Sequence, residues 1–158
     1  MRDKEYLRQR YCAMLSSAGM IFLLAGLVML APLCILLAYP GEVGNALSFG
    51  VPALCLCVSG LLLRKFLCPS SGVTLSVQEG GIIVLISWIV VILFSAWPFM
   101  TVLRLPFSRA LFESVSGWTT TGLSVVEVTK AGPMILFWRS LMQLAGGAGL
   151  AIIMISAI

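Results

Sequence analysis

The sequence predicts an all-α integral membrane protein, and three observations carry that prediction. Hydrophobic residues make up 60% of the 158 residues and charged residues only 10%, against about 25% charged in a soluble globular domain. The mean hydropathy is +1.09. Apolar stretches of about 20 residues or more, enough to cross a hydrocarbon core near 30 Å thick, recur along the chain and leave little for a soluble domain. Connections this short have no room for an active site, so the chain is read as a non-enzyme.

The elements follow in order. Met1–Tyr11 carries Arg2, Lys4, Arg8 and Arg10 and no apolar run. The apolar stretch behind it, Ala13 to Tyr39, is too long for a signal peptide and lacks a cleavage motif, so it is expected to be an uncleaved first transmembrane helix, kinked at Pro32. Pro40-Gly41-Glu42 reads as a tight turn, and Ala46 to Phe66 as a second span ending in Arg64-Lys65. Basic residues before the first span and after the second place both ends in the cytoplasm. The expected organisation is an amino-terminal hairpin over 1–68, a cytoplasmic linker over 69–79 and one pore-type repeat over 80–158. Within that repeat the spacing predicts a helix over 80–103, with Trp97-Pro98-Phe99 suited to an interfacial aromatic belt, and a last helix over 133–158 opened by Pro133 at N1. Gly146-Gly147-Ala148-Gly149 inside that helix reads as a close-packing stripe in preference to a gating hinge.

Net charge is +4, but the basic residues mark segment ends and form no continuous face for nucleic acid. There is no histidine, and the acids Asp3, Glu5, Glu42, Glu79, Glu113 and Glu127 are mostly isolated. No catalytic pair, metal site or cofactor is expected from them. Cys12, Cys34, Cys55, Cys57 and Cys68 read as small buried hydrophobes; Cys55 and Cys57 would face opposite sides of a helix.

The stretch that stands apart is Phe107–Ser124, FSRALFESVSGWTTTGLS, too polar and too short to cross a bilayer yet set between two spans. A short helix is expected over 108–117, with Ser108 as N-cap; at about 1.5 Å per residue it reaches roughly half of a hydrocarbon core. The β-branched run Thr119-Thr120-Thr121 and then Gly122 disfavour further helix, so the segment 118–123 is expected to climb back extended. Non-helical backbone at membrane depth needs protein or a watery cavity around it, and successive carbonyls can replace the water shell of a cation. A short helix aims its partially negative end at the same place. On spacing alone an external loop joining two helices remains open.

Glu113 and Arg139 form a second expectation. Both come roughly 6 to 9 Å below the outer ends of their helices, and pairing offsets a burial cost of about 2.5 to 3.5 kcal/mol per charge. They are expected to hold the short helix against the last one; separate snorkelling to the interface is the alternative. Trp118 is placed behind the loop as a packing cuff.

The run ALFESVSGWTTTGLS, with QEGGIIVLISWIVVILFSAWPF before it and PMILFWRSLMQLAGGAGLAIIMISAI after it, closely resembles the first pore repeat of Trk-type potassium uptake proteins of the Trk/Ktr/HKT superfamily. The resemblance implies a multi-pass plasma-membrane protein of the bacterial inner membrane, with potassium as the transported ion. It implies ion binding by Thr119, Thr120, Thr121 and Gly122, with glycine at the last position the potassium-type choice. It also implies three further repeats, a homodimer of the full-length protein and a cytosolic nucleotide-binding regulatory subunit. The chain ends in an apolar run without a basic flank, which is read as a fragment. A non-conducting remnant or a helix-packing assembly module is the alternative function.

Overall fold

The computed structural model describes residues 2–66, 76–129 and 131–157. Most of the linker assigned to 69–79, Cys68, Lys130 and Ile158 lie outside them. The described elements are helices α1 (Arg2–Leu30), α2 (Ala46–Phe66), α3 (Val77–Ser95), α4 (Trp97–Val102), α5 (Phe107–Trp118) and α6 (Pro133–Ala157), with 3-10 segments at Ala31–Leu37 and Pro40–Asn45. Among the described residues there is no strand. Leu7–Leu37, Pro40–Phe66 and Gln78–Val102 are helical stretches long and apolar enough to cross a membrane, and the protein is an all-α integral membrane protein.

The helix bounds depart from the sequence expectations for identifiable reasons. The basic amino-terminal arm does not precede α1 but is its first turns, since arginine, lysine and glutamate are good helix formers. The α-helical ladder then gives way to 3-10 at Ala31, beside Pro32, which has no N–H to continue it. α2 occupies Ala46–Phe66 as the sequence indicated, tolerating Pro52 inside it. α3 starts at Val77, earlier than residue 80, because Ser76 and Glu79 form a reciprocal capping box. The helix expected over 80–103 is two: α3 stops at Ser95 and Pro98 lies in the first turn of α4. Pro98 and Phe99 are buried. The chain then reverses through Arg104, at φ 52.

α1 and α2 pair closely at glycines: a Cβ on Gly60 would lie 2.6 Å from the Gly19 carbonyl oxygen, so only hydrogen fits there. This hairpin is tied to the rest at both ends. Near the start of α1, Arg10 makes a fork to Glu79, Nε to Oε1 at 2.8 Å and Nη2 to Oε2 at 2.6 Å. At the other end Glu42 Oε2 accepts from the Met134 N–H at 3.2 Å, supplying α6 with an acidic cap from a remote part of the chain. The core gathers Met29, Phe49, Leu56, Phe99, Ile135, Trp138 and Met142, with Phe49 and Trp138 edge to face at 6.2 Å.

Candidate functional site

α5 begins one residue before the expected 108. Pro106, in extended conformation, occupies the N-cap position, and its carbonyl accepts the N–H groups of Arg109 and Ala110 at 3.0 Å each. Ser108 is therefore inside the first turn and not the cap. Trp118, counted with the loop from the sequence, is the last helical residue.

Three contacts fix how α5 runs along α6. Glu113 Oε2 lies 3.1 Å from Arg139 Nε, Gly117 faces Met142, and Gly146 faces the Trp118 carbonyl. Residue numbers rise together on both helices, so α5 descends α6 in parallel from its Pro133 end. At about 1.5 Å per residue, Arg139 is roughly 9 Å and Gly146 roughly 20 Å down from Pro133. The chain then returns. Ser124 Oγ donates to Glu113 Oε1 at 2.7 Å and the Val126 N–H at 3.0 Å, with the Val125 N–H donating to the same oxygen. Residues 119–123 thus turn near the depth of Gly146 and rise to that of Glu113: the segment enters and leaves at one end of the bundle.

The turn itself is not the plain extended run expected. Thr119, Thr120 and Thr121 donate their N–H groups back to the carbonyls of Val115, Gly117 and Ser116 at 2.9, 3.1 and 3.0 Å, closing the open end of α5. Thr120 has φ 57 and Gly122 φ 78. Glycine takes such a φ freely; a β-branched threonine is a genuine outlier there, at about 1–3 kcal/mol. The side chains of Thr119 and Thr121 meet, Oγ1 to Oγ1 at 2.8 Å. The carbonyls of Thr119, Thr120, Thr121 and Gly122 accept no hydrogen bond among the described residues, whereas that of Leu123 accepts from Ser116 Oγ at 2.6 Å. The result is a row of four peptide oxygens without internal partners, on a loop whose three threonine N–H groups are turned back into α5.

The supports around this row were only partly visible in the sequence. Glu113, 1% exposed, does more than face Arg139: its Oε1 gathers the returning strand, while the Arg139 N–H is not aimed along the line to Oε2. Trp118 is buried, its indole N–H donating to Ser95 Oγ at 2.9 Å, and the Trp138 indole N–H reaches the Ser95 carbonyl at 3.4 Å. Ser114 Oγ donates to the Ile92 carbonyl at 2.7 Å. The serines of α3 and α5 carried no distinguishing signal beyond being polar in apolar helices. Among the described residues Cys12, Cys34, Cys55 and Cys57 are free thiols.

A helix that stops inside a bundle, followed by a turn rich in unpaired carbonyls that leaves at the end it entered, marks a re-entrant segment of an integral membrane protein. The family model for TrkH, cation transport protein, matches residues 49–157, and the chain belongs to that family. The Trk system potassium uptake protein TrkG of Escherichia coli is 32% identical over 143 residues, 89% of this chain and 29% of that protein. An uncharacterized cation transporter of Methanocaldococcus jannaschii is 29% identical over 85% of this chain and 28% of its own length. The Trk system potassium uptake protein TrkI of Halomonas elongata is 25% identical over 91% of this chain and 29% of its own. The chain thus spans under a third of the length of these relatives.

Proposed function

We propose that this chain is the first pore repeat, with its preceding hairpin, of a potassium uptake protein, and that the peptide oxygens of Thr119, Thr120, Thr121 and Gly122 take the place of water around a potassium ion. The observation that carries this reading is the row of four unpaired carbonyls on a turn held in a strained conformation part-way down α6. The potassium assignment rests on the Trk relatives and on glycine at position 122. One loop offers a quarter of a ring, so the reading includes three further repeats on the same protein, which acts as a homodimer with a cytosolic nucleotide-binding subunit. The basic residues Arg8 and Arg10 near the start of α1 and Arg64 and Lys65 at the end of α2 lie at the same end of the hairpin and favour a cytoplasmic amino terminus. Glu113 and Arg139 serve as supports of the pore helix, outside the coordinating shell.

The test is rubidium and sodium uptake in a host stripped of its own potassium systems, comparing the protein with Gly122→Ser. At φ 78 any side chain is strained, so the loop must rearrange and rubidium-over-sodium preference falls. Unchanged preference at normal membrane levels removes these residues from the pathway. Loss of neither uptake nor growth when the whole loop is altered favours a helix-packing assembly module.

A further inference from the structure

We propose that Gly146 is a positioning residue for ion selectivity: its missing side chain lets the α6 backbone seat the last peptide of α5, and this seat sets the height of the first coordinating oxygens. The inference rests on the reading of Thr119–Gly122 as the coordinating loop.

A Cβ placed on Gly146 would lie 2.0 Å from the Trp118 carbonyl oxygen, 2.8 Å from its carbon and 3.0 Å from its Cα. These are backbone atoms, so no rotamer change relieves the clash. Trp118 cannot swing aside either, since it is only 7% exposed and its indole is hydrogen-bonded to Ser95. The peptide that would have to move joins Trp118 to Thr119, the first residue of the row. A single added methyl therefore drives a shift of about 1 Å straight into the loop, and misplacement on that scale costs up to ~10²-fold where geometry decides an outcome. The other glycines of the stripe differ. A Cβ on Gly147 meets only Thr120 Cγ2, at 3.4 Å, and one on Gly149 meets nothing within 4 Å. Met142, buried one turn before Gly146, fills the space against Gly117 and belongs to the same seat.

This graded series is the test. Gly146→Ala, Gly147→Ala and Gly149→Ala each add one methyl and the same gain in helix propensity, so stiffening of α6 affects all three alike. Rubidium and sodium uptake are measured for each in the intact protein, with membrane level determined by immunoblot. The expected result is a fall in rubidium-over-sodium preference on the order of tenfold for Gly146→Ala, with Gly149→Ala unchanged. Wild-type preference in Gly146→Ala at wild-type membrane level overturns the inference, as does an equal change in Gly149→Ala. Should Gly146→Ala not reach the membrane, Met142→Ala decides, since it loosens the same seat without a clash: a fall in preference supports the inference, and wild-type preference overturns it. Gly122→Ser, run alongside, separates the two readings. A shift there with none in the Gly146 and Met142 variants rejects the seat alone, and no shift there rejects the coordinating loop and the seat with it.

Discussion

Glu113 offers the sharpest test of what holds the loop, because the structure ranks its two jobs. Its Oε1 receives Ser124 Oγ and the N–H groups of Val125 and Val126, and its Oε2 faces Arg139 across 3.1 Å without an aligned N–H. In Glu113→Ala the Val126 N–H keeps Ser124 Oγ at 3.0 Å, but the Val125 N–H is stranded. A stranded donor costs about 1–3 kcal/mol, and leaving the Arg139 side chain, 15% exposed, without its counter-charge adds about 2.5 kcal/mol. The sum is about 3.5–5.5 kcal/mol. Glu113→Gln keeps an acceptor for all three donors but turns charge-assisted bonds into neutral ones and also removes the counter-charge of Arg139, about 3–4 kcal/mol in all. Arg139→Gln leaves every Oε1 bond intact but leaves the buried Glu113 without its counter-charge, at about 2.5 kcal/mol by the same measure. Thermal unfolding of the purified protein in detergent, with a double-mutant cycle, gives the ranking. Exchanging the charges, Glu113→Arg with Arg139→Glu, is expected to restore little, since an arginine accepts nothing from Val125 and Val126. Full rescue by the exchange, or an Arg139→Gln cost equal to that of Glu113→Ala, refutes the claim that anchoring the returning strand is the larger job.

Three further outcomes are expected. Thr120→Gly removes a left-handed threonine at φ 57 and raises stability by about 1 kcal/mol, while the looser loop lowers rubidium-over-sodium preference; differential scanning fluorimetry beside uptake reads both. Ser95→Ala strands the buried Trp118 indole N–H and costs about 1–3 kcal/mol, visible as a lower unfolding midpoint and altered tryptophan fluorescence. Glu42→Gln keeps a hydrogen-bond acceptor for the Met134 N–H but loses the charge at the start of α6, costing about 0.5–1 kcal/mol, whereas Glu42→Ala costs about 1–2; equal effects of the two on thermal stability would make the acceptor, and not the charge, irrelevant.

Much of the helical plan was legible because it is written locally. Ala46–Phe66 ends at a dibasic pair, though Pro40-Gly41-Glu42 opens a 3-10 segment over Pro40–Asn45 where a tight turn was expected, and Pro133 marks the start of α6 through its pre-set φ. Gly122 announced a break in helix because only glycine adopts its φ without strain. The arm before Ala13 misled, since a cluster of basic residues is compatible with either helix or loop. Trp97-Pro98-Phe99 was legible as an interfacial aromatic group, and Trp97 is 45% exposed, but the same proline also ends α3, as Pro32 does α1, whereas α2 continues unbroken through Pro52. What the sequence hid was every contact made at a distance. Thr120 takes a positive φ that its residue type disfavours, so the cause is tertiary. The three donors on Glu113 and the cap supplied by Glu42 to Met134 join residues whose proximity no local pattern encodes.

These distant contacts act together on one turn. A threonine in the left-handed region persists only when its surroundings over-determine it, and α6 supplies that constraint at three depths: Glu42 fixes its first turn, Arg139 meets Glu113, and Gly146 receives the Trp118 peptide. α3 adds Ser95 under the same tryptophan. Glu42 belongs to the amino-terminal hairpin, so that hairpin is more than a lipid-facing appendage: through α6 it bears on the height of a loop far from it in sequence. Strain at Thr120 and the clamps around it are therefore two sides of one balance, and a weakened clamp is relieved first at the residue that pays the highest conformational cost.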